Sequence, residues 1–285
     1  MTTLFFKRFI TILFGLLVTS FSQAATPLRV VSEILPPFQV ISPNGGFQGR
    51  AVDMVKAILE EANMSDATID VMPWARAYKK AQKEKNVAIF SLAHSEKRAT
   101  KFLWIGALYS LERSSLIGLK SRSELNVPSL EDAKQFRVCS ELDTYSYQYL
   151  QSLGFEANKN LFSVRSVLSA YRTASGGIAR PAANLTLLNA QKCDYVTGLW
   201  SIYAYSENAN SGLTPYFYLG DRDKPLVLNL ALSLDSDPAM HNALTTAYRS
   251  LVDSGALYRV CVGNDPEKIY PRSCQVLLPA KEKER

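Results

Sequence analysis

Residues 68–93 read TIDVMPWARAYKKAQKEKNVAIFSLA, and their order decides the architecture. Two short β-rich runs, TIDVM and NVAIFSLA, flank WARAYKKAQKEK, which reads as a helix. Upstream, LRVVSE (28–33) reads as a strand and AVDMVKAILEEA (51–62) as a helix with Val52, Val55, Leu59 and Ala62 on one face. The resulting β-α-β-α-β rhythm is that of a mostly parallel sheet covered by helices, an α/β fold.

The rhythm restarts after RSSLIGLK. SLEDAKQ gives a helical turn, FRVCS a strand, TYSYQYLQSLG a helix with a glycine stop, and FSVRS a strand. PAANLTLLNAQK follows as a helix with proline in its first turn, then CDYVTGL as a strand. Two α/β lobes are the natural inference. After the turn-rich LTPYFYLGDRDKP come the strand LVLNLALSL and a long helix, DPAMHNALTTAYRSLVDSG, ending at Gly255. Periodicity does not say which lobe these two join.

At the N-terminus, Lys7 and Arg8 precede the apolar run Phe9 to Val18, and Ser22-Gln23-Ala24 supplies a small-x-small cleavage signal. This reads as a secretory signal peptide over residues 1–24, its apolar run well short of the ~20 residues of a spanning helix. No cysteine near the cleavage site offers a lipid attachment point, so the mature chain is expected to be exported and soluble. Of 285 residues, removal of 24 leaves 261, enough for two lobes. The net charge of +6 drops to +4 as Lys7 and Arg8 depart. The basic runs YKKAQKEK and KEKER read as a solvated helix face and a tail, without the stripe and interleaved aromatics of a nucleic-acid groove.

Four cysteines in an exported chain imply disulfides, with three complete pairings open. Cys261 and Cys274 bracket a short segment rich in turn formers and are expected to close a local loop. Cys139 and Cys193 each sit at a strand start; they either pair across neighbouring strands or remain buried thiols. No two cysteines have zinc-finger spacing, and His94 and His241 are the only histidines, so no metal is expected. Without a phosphate-cradling glycine loop or a Ser-His-Asp set, no cofactor is expected either.

The motifs VVSEILPPF, GGFQGRAVDMVKAIL, MPWARAYKKAQ, IFSLAHSEKRATKFLWIGALY, NLTLLNAQKCDYV and TTAYRSLVDSGALYRV together resemble, over residues 28 to 260, the extracytoplasmic solute-binding proteins of the polar amino-acid uptake type (family 3). The resemblance implies a two-lobed, type II periplasmic binding protein-like fold whose lobes close on a small molecule. It places lobe one at 25–116 plus 219–285 and lobe two at 117–218, with crossings near 113–119 and 215–222, and returns LVLNLALSL to lobe one. It further implies a monomer in the periplasm, delivering its ligand to a membrane transporter permease of the ABC type.

In that family the turn after the strand matching NVAIFSLA carries an arginine that grips the ligand carboxylate, and Arg98 occupies its place. The physics agrees: a guanidinium fork matches a carboxylate, Ser95 is placed to cap the turn SEKRATKF, and ligands gather beyond strand carboxyl ends. Ser91 offers a hydroxyl at the same strand end. Trp74 is expected against the ligand, Phe38 in cleft or core, and Arg76 as a second positive centre. Glu33 is a partner for a basic group or simply solvated, and His94 either faces the cleft or is merely exposed. In lobe two the pattern breaks. The aspartate that holds an α-ammonium, a few residues beyond Asp194, is missing from TGLWSIY, and CSELDTYS replaces a Gly-Thr-rich turn. Glu141, Asp143 and Thr144 are the candidates there.

Three functions compete: an uptake receptor, a ligand sensor, and a periplasmic enzyme on the same scaffold resembling the cyclohexadienyl dehydratases. An enzyme needs a positioned acid or base, and only Glu33, Glu141 and His94 offer themselves. The receptor is the leading expectation.

Overall fold

A computed structural model describes residues 27–42, 44–164, 180–200, 212–221, 223–263 and 270–278. The segment 1–24 expected to direct export and the KEKER tail lie outside the described residues. In chain order the first elements are β1 (Arg29–Ser32), β2 (Val40–Ile41), β3 (Phe47–Gln48), α1 (Arg50–Glu61), β4 (Thr68–Val71), α2 (Trp74–Lys83), β5 (Val87–Ala93), α3 (Glu96–Ala99) and β6 (Phe102–Leu111). Next come β7 (Ser115–Leu119), β8 (Val138–Glu141), α4 (Tyr145–Ser152), β9 (Leu161–Val164), α5 (Arg180–Asn189), β10 (Tyr195–Gly198) and β11 (Leu213–Tyr218). The chain continues through β12 (Leu226–Ser233), α6 (Pro238–Asp253), α7 (Ala256–Val262) and α8 (Tyr270–Cys274).

Ten of the described strands form two five-stranded sheets, ordered β4-β1-β5-β12-β6 and β11-β7-β10-β8-β9, and β2 and β3 pair separately. LVLNLALSL, as β12, therefore lies in the first sheet, between β5 and β6. The chain passes from one sheet to the other between Leu111 and Ser115 and returns between Tyr218 and Leu226. Each sheet is parallel in one half and antiparallel in the other. β1 runs parallel to β4 and β5, and β8 parallel to β9 and β10, because helical crossovers join them. β12 opposes β5 and β6, and β7 opposes β10 and β11, because the first strand after each sheet-to-sheet passage enters its sheet from the opposite end.

All seven residues of β5 are buried, as expected of a central strand covered on both faces. The period of two sends Val30, Phe90, Leu228 and Leu230 into the layer under α1, α6 and α7, and Val31, Ile89 and Ala231 into the layer under α2; Leu92 joins the α2 layer because the irregularity at Ser91, φ 61, shifts the alternation by one residue. The second sheet does likewise: Leu116, Val138 and Tyr195 face one core, Ile117, Cys139 and Val196 the other. Both disulfides form, Cys139–Cys193 beside the β8–β10 pairing and Cys261–Cys274 between α7 and α8. The long helix α6 ends as anticipated: Gly255, at φ 68, turns the chain into α7.

Arg113 ties the two passages together, donating from Nε to the Lys224 carbonyl at 2.7 Å, and Leu219 N–H donates to the Ser114 carbonyl at 2.7 Å. From the same guanidinium, Nη1 reaches the Tyr145 hydroxyl at 3.1 Å. Past the passages, Leu199 and Tyr145 of the second sheet's half pack with the first sheet's core cluster, so an apolar contact closes the junction near its hinge.

Candidate functional site: the junction between the sheets

Three short pieces of the first half converge at the junction. The end of β5 delivers the Ala93 carbonyl, α3 delivers Arg98, and the first two turns of α2 deliver Trp74 and Tyr78. From the second half come the turn Glu141–Thr144 and the first turns of α4. Thr144 caps α4 by accepting from the Tyr147 N–H, and its own hydroxyl donates to the Glu141 carbonyl at 2.7 Å. That turn holds Asp143 at φ 61, in the left-handed region that aspartate tolerates better than most residues.

Arg98 is 1 % exposed. Its Nη1 donates to the Ala93 carbonyl at 3.0 Å, its Nε to Gln148 Oε1 at 3.0 Å and its Nη2 to the Asp143 carbonyl at 2.8 Å. The Tyr78 and Trp74 rings flank it, with Cζ 5.0 and 5.7 Å from their centroids, within cation–π range. Trp74 in turn donates from Nε1 to the same Asp143 carbonyl at 2.8 Å. Burial pushes the guanidinium down from its ordinary value, with the neighbouring Tyr78 and Asp143 opposing. An arginine stays charged even so, and among the described residues no carboxylate lies within ion-pair distance of it. The site is a buried cation held by oxygen dipoles.

Other residues singled out in the sequence take different places. Ser91, at φ 61, spends its hydroxyl on Gln39 Oε1 at 2.6 Å and the Tyr109 hydroxyl at 2.7 Å, in a buried network that continues through Gln39 to Ser32 and the Glu33 carbonyl. Phe38 lies in the first core, stacked on Tyr109 with centroids 4.0 Å apart, which settles its position on the core side. Glu33 is buried just after β1, and Arg76 is exposed on α2. Glu141 ends β8 half-buried, beside the turn that carries Asp143. Exposed His94 rests its ring 4.7 Å from that of Trp104. Ser95 holds the cap position of α3 but makes no side-chain cap bond.

Asp194 belongs to the interior of the second half. It accepts from Arg122 Nη1 at 2.5 Å, the Arg137 N–H at 2.7 Å and Arg137 Nε at 3.3 Å. Burial alone would raise its carboxyl; the Arg137 backbone and the two guanidinium groups more than offset that and hold it below the usual range.

Residues 28–260 match the model of the bacterial extracellular solute-binding proteins, family 3. The chain belongs to that family. No curated protein matches it. Solved structures similar to this family-3 chain include a histidine kinase sensor domain with similarity to periplasmic binding proteins (18 % identity, 84 % of this chain and 95 % of that one, TM-score 0.60). Another is the arginine-, lysine-, histidine-binding protein ArtJ from Geobacillus stearothermophilus (12 % identity, 85 % and 97 %, TM-score 0.60). A third is a putative L-cystine ABC transporter protein from Listeria monocytogenes (15 % identity, 83 % and 94 %, TM-score 0.59). At such identities the likeness establishes the two-lobed fold.

Within this family-3 chain, Gln148 and Tyr78 belong to the junction although the sequence reading passed over them, and Asp143, a candidate there, takes part through its backbone carbonyl. Gln148 had one legible signal: a polar residue one turn after Thr144 on a helix, at a position that proves buried. The Asp143 carbonyl had none, since backbone groups are the same in every residue.

Proposed function

We propose that this chain is a periplasmic receptor that closes its lobes, 25–116 plus 219–285 against 117–218, over a small carboxylate-bearing solute, an amino acid or a relative. It hands that solute to an ABC-type permease and binds without transforming it. The observation that carries the reading is Arg98: a cation 1 % exposed, at the meeting of two lobes, with no carboxylate partner among the described residues. A lone buried charge is costly, and a ligand acid group is the natural complement. Trp74 and Tyr78 shield the same spot from water, which strengthens any charge pairing there. Export by the segment 1–24 and action as a monomer complete the proposal.

Leu199 supports a ligand distinct from the common amino-acid pattern. It lies in TGLWSIY, where the resemblance places an ammonium-binding acid, and is buried against the first core. A thermal-shift screen of amino acids, dicarboxylates and small peptides finds the ligand, since binding to the folded form alone raises the melting temperature. Calorimetry on Arg98→Ala then tests the site. Affinity is expected to fall at least about tenfold; an unchanged affinity would remove Arg98 from it.

A further inference from the structure

Nε and Nη2 form one edge of the guanidinium fork, on which a carboxylate docks through two parallel bonds. In this structure both nitrogens of that edge are occupied by oxygens from the second lobe: Gln148 Oε1 at 3.0 Å and the Asp143 carbonyl at 2.8 Å. We propose that these two oxygens are an internal stand-in for the ligand carboxylate, an autoinhibitory latch that holds the empty receptor closed and that an incoming acid displaces.

Three features build the latch. Gln148 is 7 % exposed and sits on α4, whose first turn is fixed by the Thr144 cap, so its amide is held in place rather than sampling solvent. Asp143 adopts a conformation uncommon for a residue with a side chain, and in it one carbonyl serves donors from two first-lobe elements, Arg98 on α3 and Trp74 on α2. Both latch acceptors are neutral. A neutral oxygen offers the cation only a dipole, where a carboxylate brings a full opposite charge on both oxygens of the fork, so the latch holds against water yet yields to a carboxylate.

The sign of its effect separates the latch from an ordinary ligand contact. A Gln148 that merely touched ligand would lower affinity when removed. A Gln148 that competes with ligand raises the affinity when removed, because the receptor no longer has to be unlatched first. The inference rests on Arg98 being the anion site, so the test reads the protein with no ligand added.

Small-angle X-ray scattering compares the wild type with Gln148→Leu and Gln148→Glu. Losing a buried bond to a charged group is expected to shift the closing equilibrium of Gln148→Leu about tenfold or more toward open, seen as a larger radius of gyration. Gln148→Glu, which puts a carboxylate on the same edge, is expected to stay as compact as the wild type and to melt at a higher temperature. Scattering from folded Gln148→Leu that superimposes on the wild type overturns the latch. Expansion or a lower melting temperature in Gln148→Glu overturns it too, and that variant decides alone where Gln148→Leu does not fold. Failure of the receptor reading appears elsewhere, as an Arg98→Ala protein that binds its ligand unchanged.

Discussion

Trp74 donates from Nε1 to the backbone carbonyl of Asp143 at 2.8 Å, a bond between residues 69 positions apart that joins one half of the molecule to the other. The indole does two separable things. Its N–H crosses the junction, and its ring packs against Tyr78 at 6.0 Å between centroids while shielding Arg98.

Trp74→Phe removes the N–H and part of the indole while keeping an aromatic face, and leaves the Asp143 carbonyl still served by Arg98, so it is expected to cost about 1–2 kcal/mol. Trp74→Ala also empties a buried ring site and is expected to cost about 3–5 kcal/mol. Urea unfolding of the two variants gives the comparison, read as midpoint shifts at constant slope. Equal losses would mean that the ring contributes nothing.

Asp194 gives the second half an acid-sensitive interior. Its carboxyl is depressed in the folded chain, so its stabilisation is fully present above the unfolded value of about 3.9 and is lost as pH falls through the lower folded value. Asp194→Asn keeps an acceptor for the Arg137 N–H but no charge for Arg122. It is expected to lower stability at pH 7 by about 1–2 kcal/mol and to flatten the stability profile below pH 4. Thermal melts across pH 2–7 check both parts, and an unchanged acid limb in the variant would assign that limb to other carboxylates.

The two disulfides are expected to differ in weight. Cys139–Cys193 spans 54 residues and Cys261–Cys274 spans 13. Chain entropy then gives about 4 kcal/mol for the first and about 3 kcal/mol for the second. Paired cysteine-to-alanine variants, compared by denaturant unfolding, should rank in that order. The reverse ranking would show that native-state contacts, not loop closure, set the contributions.

How much of this was legible depends on where each feature is encoded. The alternating core positions of β1, β5 and β8 and the caps and stops of the helices are local, and the strands and helices read from them agree with the structure. Arg98 was legible because a strand running into a polar turn is itself a local pattern. The partner of that arginine was not. Gln148 and the Asp143 carbonyl reach it across sequence separations of 50 and 45, through a pairing of lobes that no short window contains. Phe38 was ambiguous, and Ser91 was read as a ligand donor, for a related reason: whether such a residue faces core or junction depends on Tyr109, which stacks on Phe38 and bonds Ser91 from β6. The division of each sheet into parallel and antiparallel halves also needed the second passage, which the β-α-β rhythm does not reveal.

β6 is the outermost strand of the first sheet, and an outermost strand offers bare N–H and C=O groups to any other strand that drifts by. Here a length of chain beyond the family-matched region runs against it. Leu277 and Cys274 are sunk into the first core, Ser110 of β6 bonds the Ser273 carbonyl, and the Cys261–Cys274 bridge fastens the whole piece to α7. The bridge thus works as a clasp on a guard rail: with it closed the flank stays fenced, and opening it would leave the fence held by Leu277 and the Ser110 bond.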